Sequence, residues 1–229
     1  MQNSLLETHR QLGAHFFEQN GVQLVRDYGD VDAEVSAATN ESGVIDLANY
    51  TVLRVDDQEG IAVLDRILKT DLQTMRPGSG MSKSVVDAQG HFIADLIVLA
   101  KENHFWIYAS VRDLENLRAS IRNIYPDEAL SWLDARESIA ILSVQGAFAS
   151  DSLGRTIGRA IALPEFSWGA MQFFDAELVV VKHARTGVDG FDVLVPSEHV
   201  HILWEILISN HARPFGFAAL NRAREEVSE

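Results

Sequence analysis

The segment Phe92 to Ala100 is apolar at every position except Asp95, and it follows the turn-like stretch Asp87-Ala88-Gln89-Gly90. A hairpin turn feeding so apolar a run predicts a strand buried on both faces or set against a pocket. An ionised carboxylate in such a place costs roughly several kcal/mol unless it is paired, hydrogen-bonded or kept protonated. Asp95 therefore needs a compensating group. A ligand is one candidate, and a structural partner such as Arg112 or a nearby turn is another.

Charge and cysteine content narrow the function classes. The chain has 229 residues, of which 47% are hydrophobic, enough for one large domain or two lobes with their own cores. It carries 19 basic against 33 acidic residues, a net charge of -14. No basic field exists to neutralise phosphates, which argues against nucleic acid or an anionic membrane as partner. With no cysteine, disulfides, thiolate catalysis and Cys-ligated metals are excluded. The start Met1-Gln2-Asn3-Ser4-Leu5-Leu6-Glu7 has no basic or apolar signal region, and no apolar run reaches the ~20 residues of a membrane span. A soluble, cytoplasmic protein is expected.

Periodicity predicts a helix from Ser4, as N-cap, to Phe17, then a strand at Val22 to Val25. Asp30 caps a second helix that Gly43 would end, and strands follow at Val44–Leu47 and Thr51–Val55. Gln58 to Leu68 is amphipathic, and Arg76-Pro77-Gly78-Ser79-Gly80 is a strong break. Strands Met81–Val86, Phe92–Ala100 and His104–Ala109 lead to a helix from Val111 to Ile124, stopped by Pro126. A second block repeats the plan. It has strands at Leu130–Ala135 and Ile139–Val144, a helix at Phe148–Ile157, strands at Leu178–Ala184 and Phe191–Val195, and a last helix capped by Ser197. The rhythm is not a parallel βαβ repeat, so the class is α+β with antiparallel sheets.

Common catalytic signatures are missing. Gly78-Ser79-Gly80 lacks the third glycine of a dinucleotide loop, and there is no phosphate-binding Gly-Lys-Ser/Thr or serine-nucleophile elbow. His199 and His201, two apart on a helix, diverge by roughly 200° and share no face for a metal.

Several spaced segments together resemble the glycine-cleavage T-protein family, the tetrahydrofolate-dependent aminomethyltransferases and their relatives. They are Leu12-Gly13-Ala14, Ser42-Gly43-Val44-Ile45-Asp46-Leu47, Leu64-x-x-Ile67-Leu68-x-Thr70-Asp71-Leu72 and Arg76-Pro77-Gly78. Ile93-Ala94-Asp95-Leu96-Ile97-Val98 resembles the family's Ile-Asp-Asp-Leu-Ile-Val, and Val144-Gln145-Gly146 follows. Arg185-Thr186-Gly187-Val188-Asp189-Gly190-Phe191-Asp192 is similar to a shortened Arg-Thr-Gly-Tyr-Thr-Gly-Glu-Asp-Gly-Phe-Glu, continued by Pro196-Ser197-Glu198-His199 and Trp204-Glu205. The order and spacing hold over nearly the whole chain. The resemblance implies one folate-binding domain over residues 1–229, made of two related, intertwined lobes of about 1–125 and 126–229.

By the same resemblance, Asp95 is the catalytic acid beside tetrahydrofolate and Asp192 recognises the pterin, as a shorter carboxylate than the family's glutamate. A carboxylate can accept two adjacent N–H donors of a pterin edge, and a buried acid beside the reacting nitrogen can orient it and handle a proton. Arg185, Ser82 and Arg112 fall at the other cofactor-binding positions. For Asp192 ordinary turn chemistry is the competing reading, and Arg185 can instead form a surface ion pair with Asp189 or Asp192. The departures are specific. Ala94 replaces the first aspartate of the pair, Ser82 a tyrosine, Ala109-Ser110-Val111-Arg112 an asparagine-bearing turn, and Ala218-Ala219-Leu220-Asn221 a segment with an arginine. Gly21-Val22-Gln23-Leu24 stands for Trp-Glu-Met-Pro, and the family's third, barrel-like lobe lies beyond Glu229. Three functions follow: a folate-dependent aminomethyl or methyl transferase, an enzyme on the same scaffold acting on another small molecule without folate, or a non-catalytic subunit of a larger folate or flavin enzyme. The expected partners are a small-molecule substrate and either a second copy, through Phe215, Phe217 and Leu220, or a larger protein replacing the missing lobe.

Overall fold

Three short polar side chains decide where helices begin. Asp30 accepts from the Ala33 amide at 3.0 Å, Asp57 from Gly60 at 2.5 Å and Ser110 from Asp113 at 3.1 Å, each filling one of the orphan donors of a first helical turn. The computed structural model describes residues 5–125 and 132–228. Its first part runs α1 (Leu6–Gln11), β1 (His15–Gln19), β2 (Val22–Asp27), α2 (Val31–Thr39), β3 (Gly43–Asp46), β4 (Tyr50–Val55), α3 (Gln58–Leu68), β5 (Gly80–Val86), β6 (Phe92–Ala100), β7 (Phe105–Ser110) and α4 (Val111–Ile124). Its second part runs β8 (Leu133–Asp134), β9 (Ile139–Gln145), α5 (Ala149–Ile157), β10 (Trp168–Phe173), β11 (Ala176–Lys182), β12 (Gly190–Pro196), α6 (Val200–Ser209), β13 (Arg213–Pro214) and α7 (Phe217–Ser228).

Most expected elements are present, and the exceptions have local causes. The first helix stops at Gln11 because Gly13, at φ +79°, takes the left-handed position that ends a helix. Phe16 and Phe17, expected on that helix, lie instead in β1, which pairs with β2 through a turn at Asn20 (φ +51°) and Gly21 (φ +74°). Gly43 does not end α2 but opens β3. Ser197 opens a short 3-10 turn, and α6 has no side-chain cap. Strand β10 and helix α7 were not foreseen. Ser4 and Pro126 lie outside the described residues, as does the start of the strand expected at Leu130.

The chain forms two compact units that are not consecutive halves. Unit 1 comprises Met1–Asn49, Glu137–Glu165 and Gly169–Glu229, and unit 2 comprises Tyr50–Arg136 and Phe166–Trp168. A boundary near residue 125 would leave β3 without β9, to which it is bonded from Gly43↔Gln145 to Asp46↔Leu142.

In unit 1 the sheet order is β10-β11-β12-β9-β3-β13, with β13 parallel to β3. One face carries Val44, Leu142, Val144, Val180, Val193 and Phe191 into a core shared with Leu153 and with Leu203, Trp204 and Leu207 of α6. Trp204 also meets the fully buried His9 edge-on, with ring centroids 4.9 Å apart. His9 bonds Asp46 through Nε2 at 3.2 Å and the Tyr28 hydroxyl through Nδ1 at 2.8 Å. Glu34 of α2 accepts the Tyr28 amide at 2.6 Å and the Gly216 amide at 2.8 Å. Burial, then the charges of Asp46 and Glu34, push the Tyr28 phenol up, so it stays a hydrogen-bond donor. Phe215 and Leu220 are each 1% exposed and Phe217 stacks edge-on with Phe17, so this apolar group packs within the chain instead of presenting a dimer face.

In unit 2 the sheet order is β5-β6-β7-β4-β8, and all the pairings are antiparallel. Its core joins Leu53, Val55, Ala94, Leu96, Val98 and Ile107 to Leu64 and Leu68 of α3 and Leu114, Leu117 and Ile121 of α4. Arg76-Pro77-Gly78 forms the bend expected there, with the Gly78 amide on the Ala100 carbonyl at 3.1 Å. Replacing Trp204 by alanine removes the largest fully buried side chain of unit 1 and opens a cavity against His9. Urea unfolding is expected to show a loss of roughly 3–5 kcal/mol, and a loss below about 1 kcal/mol would show that α6 repacks over the gap.

Candidate functional site

Asp95 is exposed, and the expectation of a deeply buried carboxylate does not hold. Its neighbours Ala94 and Leu96 do face the core, at 0% and 1% exposure. The reason lies in the adjoining strand. β7 pairs with β6 only from Ile97↔Tyr108 to Ala100↔Phe105, so Ile97 and Leu99 are covered on the second face while Asp95 lies beyond the last β7 partner. Across from it on β5, Ser84 donates its hydroxyl to Asp95 Oδ1 at 2.5 Å. Compensation thus comes from water and a hydroxyl.

Ser82 is opposite Ile97, two positions from Ser84 on β5, and so shares the exposed face of Asp95. Arg112 is exposed on the first turn of α4, where its charge bears on Asp113. Asp113, which sequence reasoning missed, is half-buried beside Asp95. Its signal was the Ser110-Val111-Arg112-Asp113 spacing of a helix capping box. Burial pushes the Asp113 carboxyl up. The Ser110 hydroxyl lowers it, the Asp95 charge raises it again, and Arg112 and the Asp95 N–H lower it, for a net rise.

Asp192 has the opposite setting. It is the centre of β12, opposite Ser143 of β9 and Val181 of β11, and is fully buried. Arg185 approaches it as a two-point fork, Nε to Oδ1 at 2.8 Å and Nη2 to Oδ2 at 2.7 Å. His183 adds a contact from Nδ1 to Oδ2 at 2.9 Å. Burial pushes the Asp192 carboxyl up, but the Arg185 charge and then His183 outweigh it and hold the group far below the usual carboxylate range. Arg185 therefore chooses Asp192 over Asp189, and the pair is buried. Asp189 instead takes the Lys182 ammonium and the Ser150 amide, the latter at 3.2 Å. Beneath the pair, Gln145 gives its amide to Ser143 Oγ at 2.8 Å and to the His183 carbonyl at 2.9 Å, leaving Oε1 with no partner.

Of the residues singled out in the sequence, the structure joins Arg185 to Asp192 in unit 1 and sets Ser82 beside Asp95 on one face of unit 2. His183, the third member of the Asp192 cluster, was missed because a lone histidine two residues before an arginine has no motif. Both Asp192 oxygens are engaged by side chains of the chain itself, so in this geometry they are not available to a pterin edge. Asp95, with one oxygen bonded to Ser84 and the carboxylate open to solvent, can accept from a bound molecule.

Breaking the buried pair tests the Asp192 assignment. Asp192→Asn strands Arg185 in the interior and is expected to cost roughly 3–5 kcal/mol in chemical unfolding. The folded carboxyl is lowered, so the stability it contributes is complete above the unfolded value of about 4 and is lost as pH falls below that toward the folded value. Wild-type stability should therefore fall more steeply than that of the variant below about pH 4. Parallel acid limbs would show the pair to be dispensable.

Among the described residues no helix is long and apolar enough to cross a membrane. The chain is 28% identical to an aminomethyltransferase of Paraburkholderia phymatum over 96% of its length, and covers 61% of that protein. Its fold superposes on the glycine cleavage system aminomethyltransferase T of Bartonella henselae with a TM-score of 0.86 at 20% identity, covering 100% of this chain and 63% of the other. A chain of the heterotetrameric sarcosine oxidase from Corynebacterium sp. U-96 matches with a TM-score of 0.51 at 15% identity, over 85% of this chain and 92% of that one. The chain thus spans about 61% of the length of the curated relatives it matches. The GCVT N-terminal domain family matches residues 5–228, and the chain belongs to that family.

Proposed function

We propose that this chain acts in one-carbon transfer on a reduced folate, moving an aminomethyl or methyl group, with Asp95 as the working carboxylate. The observation that carries this reading is the accessibility of Asp95 on a strand whose next five residues, Leu96 to Ala100, are all buried. Its relatives named aminomethyltransferase add family weight. Tetrahydrofolate, when bound, supplies the nitrogen that receives the one-carbon unit. Asp95 would accept an N–H of the pterin or hold a proton at its outer oxygen, while Ser84 fixes the other oxygen and hence the carboxylate plane. Ser82 offers a second hydroxyl on the same face. Residues here fit such a ligand at Asp95 and do not fit it at Asp192, whose charge is neutralised internally. Asp192 and Arg185 are therefore assigned to the frame of unit 1.

A second reading, a non-catalytic subunit of a larger enzyme, is favoured by one observation. The chain matches 92% of a chain from a heterotetrameric oxidase, a partner assembly whose component is of comparable extent.

Titration of the purified protein with (6S)-tetrahydrofolate, followed by calorimetry, separates these readings. Saturable binding is expected, weakened about tenfold or more in Asp95→Asn, the size of one lost charge-assisted hydrogen bond. The thermal midpoint should be unchanged, because the group is exposed. Equal affinity in the variant would sink the role of Asp95. Absence of binding together with copurification of a larger protein would favour the subunit.

A further inference from the structure

A cavity of about 710 Å³ opens on unit 2 between the end of α3, the β5–β6 hairpin and the second half of α4, within the size range of small-molecule sites. Its floor is the margin of the unit 2 core, where Val85 is buried and Ile67 and Ile93 are partly covered. Three more large apolar side chains line it with about half their surface in water: Val86, Phe92 and Ile124, at 48%, 57% and 57% exposure. Exposed apolar groups gathered around one hollow mark an interaction site, where scattered ones would not. Val85 pairs with Ala94 and shares its core-side face, whereas the Asp95 carboxylate is on the other face, so the sheet separates the two.

The charge of this groove is opposite to that of the chain. The protein carries a net charge of -14, yet the charged residues lining the cavity are Arg66, Lys69 and a single acid, Asp87. Asp87 is occupied by its own turn, accepting the Gln89 and His91 amides at 2.8 Å each and meeting the His91 ring at 2.9 Å. The Arg66 guanidinium lies over the Tyr125 ring, 4.3 Å from its centroid. Lys69 has no carboxylate partner among the described residues. It also holds φ at +51°, the left-handed position that glycine usually takes at a helix end. A lysine serving only the α3 dipole could stand one residue earlier in ordinary helical backbone. Here strain is accepted where it sets an ammonium beside an apolar hollow. On α4, Ser120 and Asn123 line the same cavity with side chains that make no hydrogen bond among the described residues. We propose that this groove binds an amphipathic acid: Lys69, beside Arg66, takes the anionic head, and the apolar body lies along Ile67, Val85 and Ile93.

The probe is 8-anilinonaphthalene-1-sulfonate, whose fluorescence rises in an apolar site, set beside N-phenyl-1-naphthylamine, which has the same rings without the sulfonate. At neutral pH the wild-type protein is expected to bind the sulfonate saturably. Lys69→Gly suits the left-handed backbone and keeps the fold, as an unlowered thermal midpoint will show. It should weaken the sulfonate about tenfold or more, the size of a lost charge-assisted hydrogen bond, and leave the neutral probe unchanged. Ala119→Trp, on the exposed face of α4 that lines the cavity, should weaken both probes. Decanoate should displace the sulfonate, and decanol should not. Wild-type affinity for the sulfonate in either variant overturns the proposal, as does the lack of saturable binding. Equal losses of both probes in Lys69→Gly, or displacement by decanol as readily as by decanoate, would reveal an apolar surface that does not read charge, and that too overturns it.

Discussion

Strand β3 has to be paired along both edges. All four residues from Gly43 to Asp46 are buried, so each backbone N–H and C=O must find a partner within the protein. β9 supplies one edge and β13 the other. At the end of β3, Asp46 then receives His9, His9 receives Tyr28, and both His9 and the sheet lean on Trp204. Helices α1 and α6, the segment after β2 and three strands are thus drawn to one place by four residues of sequence. The Asp192 pair belongs to the same sheet, two strands away, and needs that sheet to be complete before its charge can be buried.

The elements that could be read from the sequence are those whose signal is local. The cap at Asp30, the amphipathic α3 and α4, and the apolar β6 and β12 all carry their own boundaries, whereas Asp57, which reads as plain solvated charge, proves to cap α3. The failures came where two local signals competed or none existed. A helical period through Phe16 outweighed the Gly13 stop and the Asn20-Gly21 hairpin, although left-handed punctuation is the stricter constraint. β10 has only Met171 and Phe173 facing inward, too few to stand out as an alternation. The division into units was hidden for another reason: it depends on which strands meet across about a hundred positions, and periodicity carries no such information.

The two aspartates show the same limit at the level of a site. Each sits alone in an apolar strand, and nothing in those strands distinguishes them. Asp192 is buried between β9 and β11, and it survives as an ion because Arg185 and His183 both reach its oxygens. Asp95 is exposed on the part of β6 that β7 does not pair with. Burial of a strand residue depends on what packs over its face and beside it, so a pattern within one strand could name the candidate residues but not their surroundings. His183 was invisible for that reason, since it matters only through the carboxylate beside it.

Unit 2 enters at Tyr50 and its main segment ends at Arg136, with its entry strand β4 and exit strand β8 paired side by side through Leu53↔Asp134 and Arg54↔Leu133. It is therefore an insertion between β3 and β9, and synthesis on the ribosome meets the two units out of step. At roughly 5–20 residues per second, the interval between the emergence of β3 and of β9 is on the order of 5–20 s. Unit 2 can close within that time, while the N-terminal segment waits as an unpaired apolar strand. During translation the portion of this protein that a holding chaperone would protect is its beginning, long after that beginning has left the ribosome.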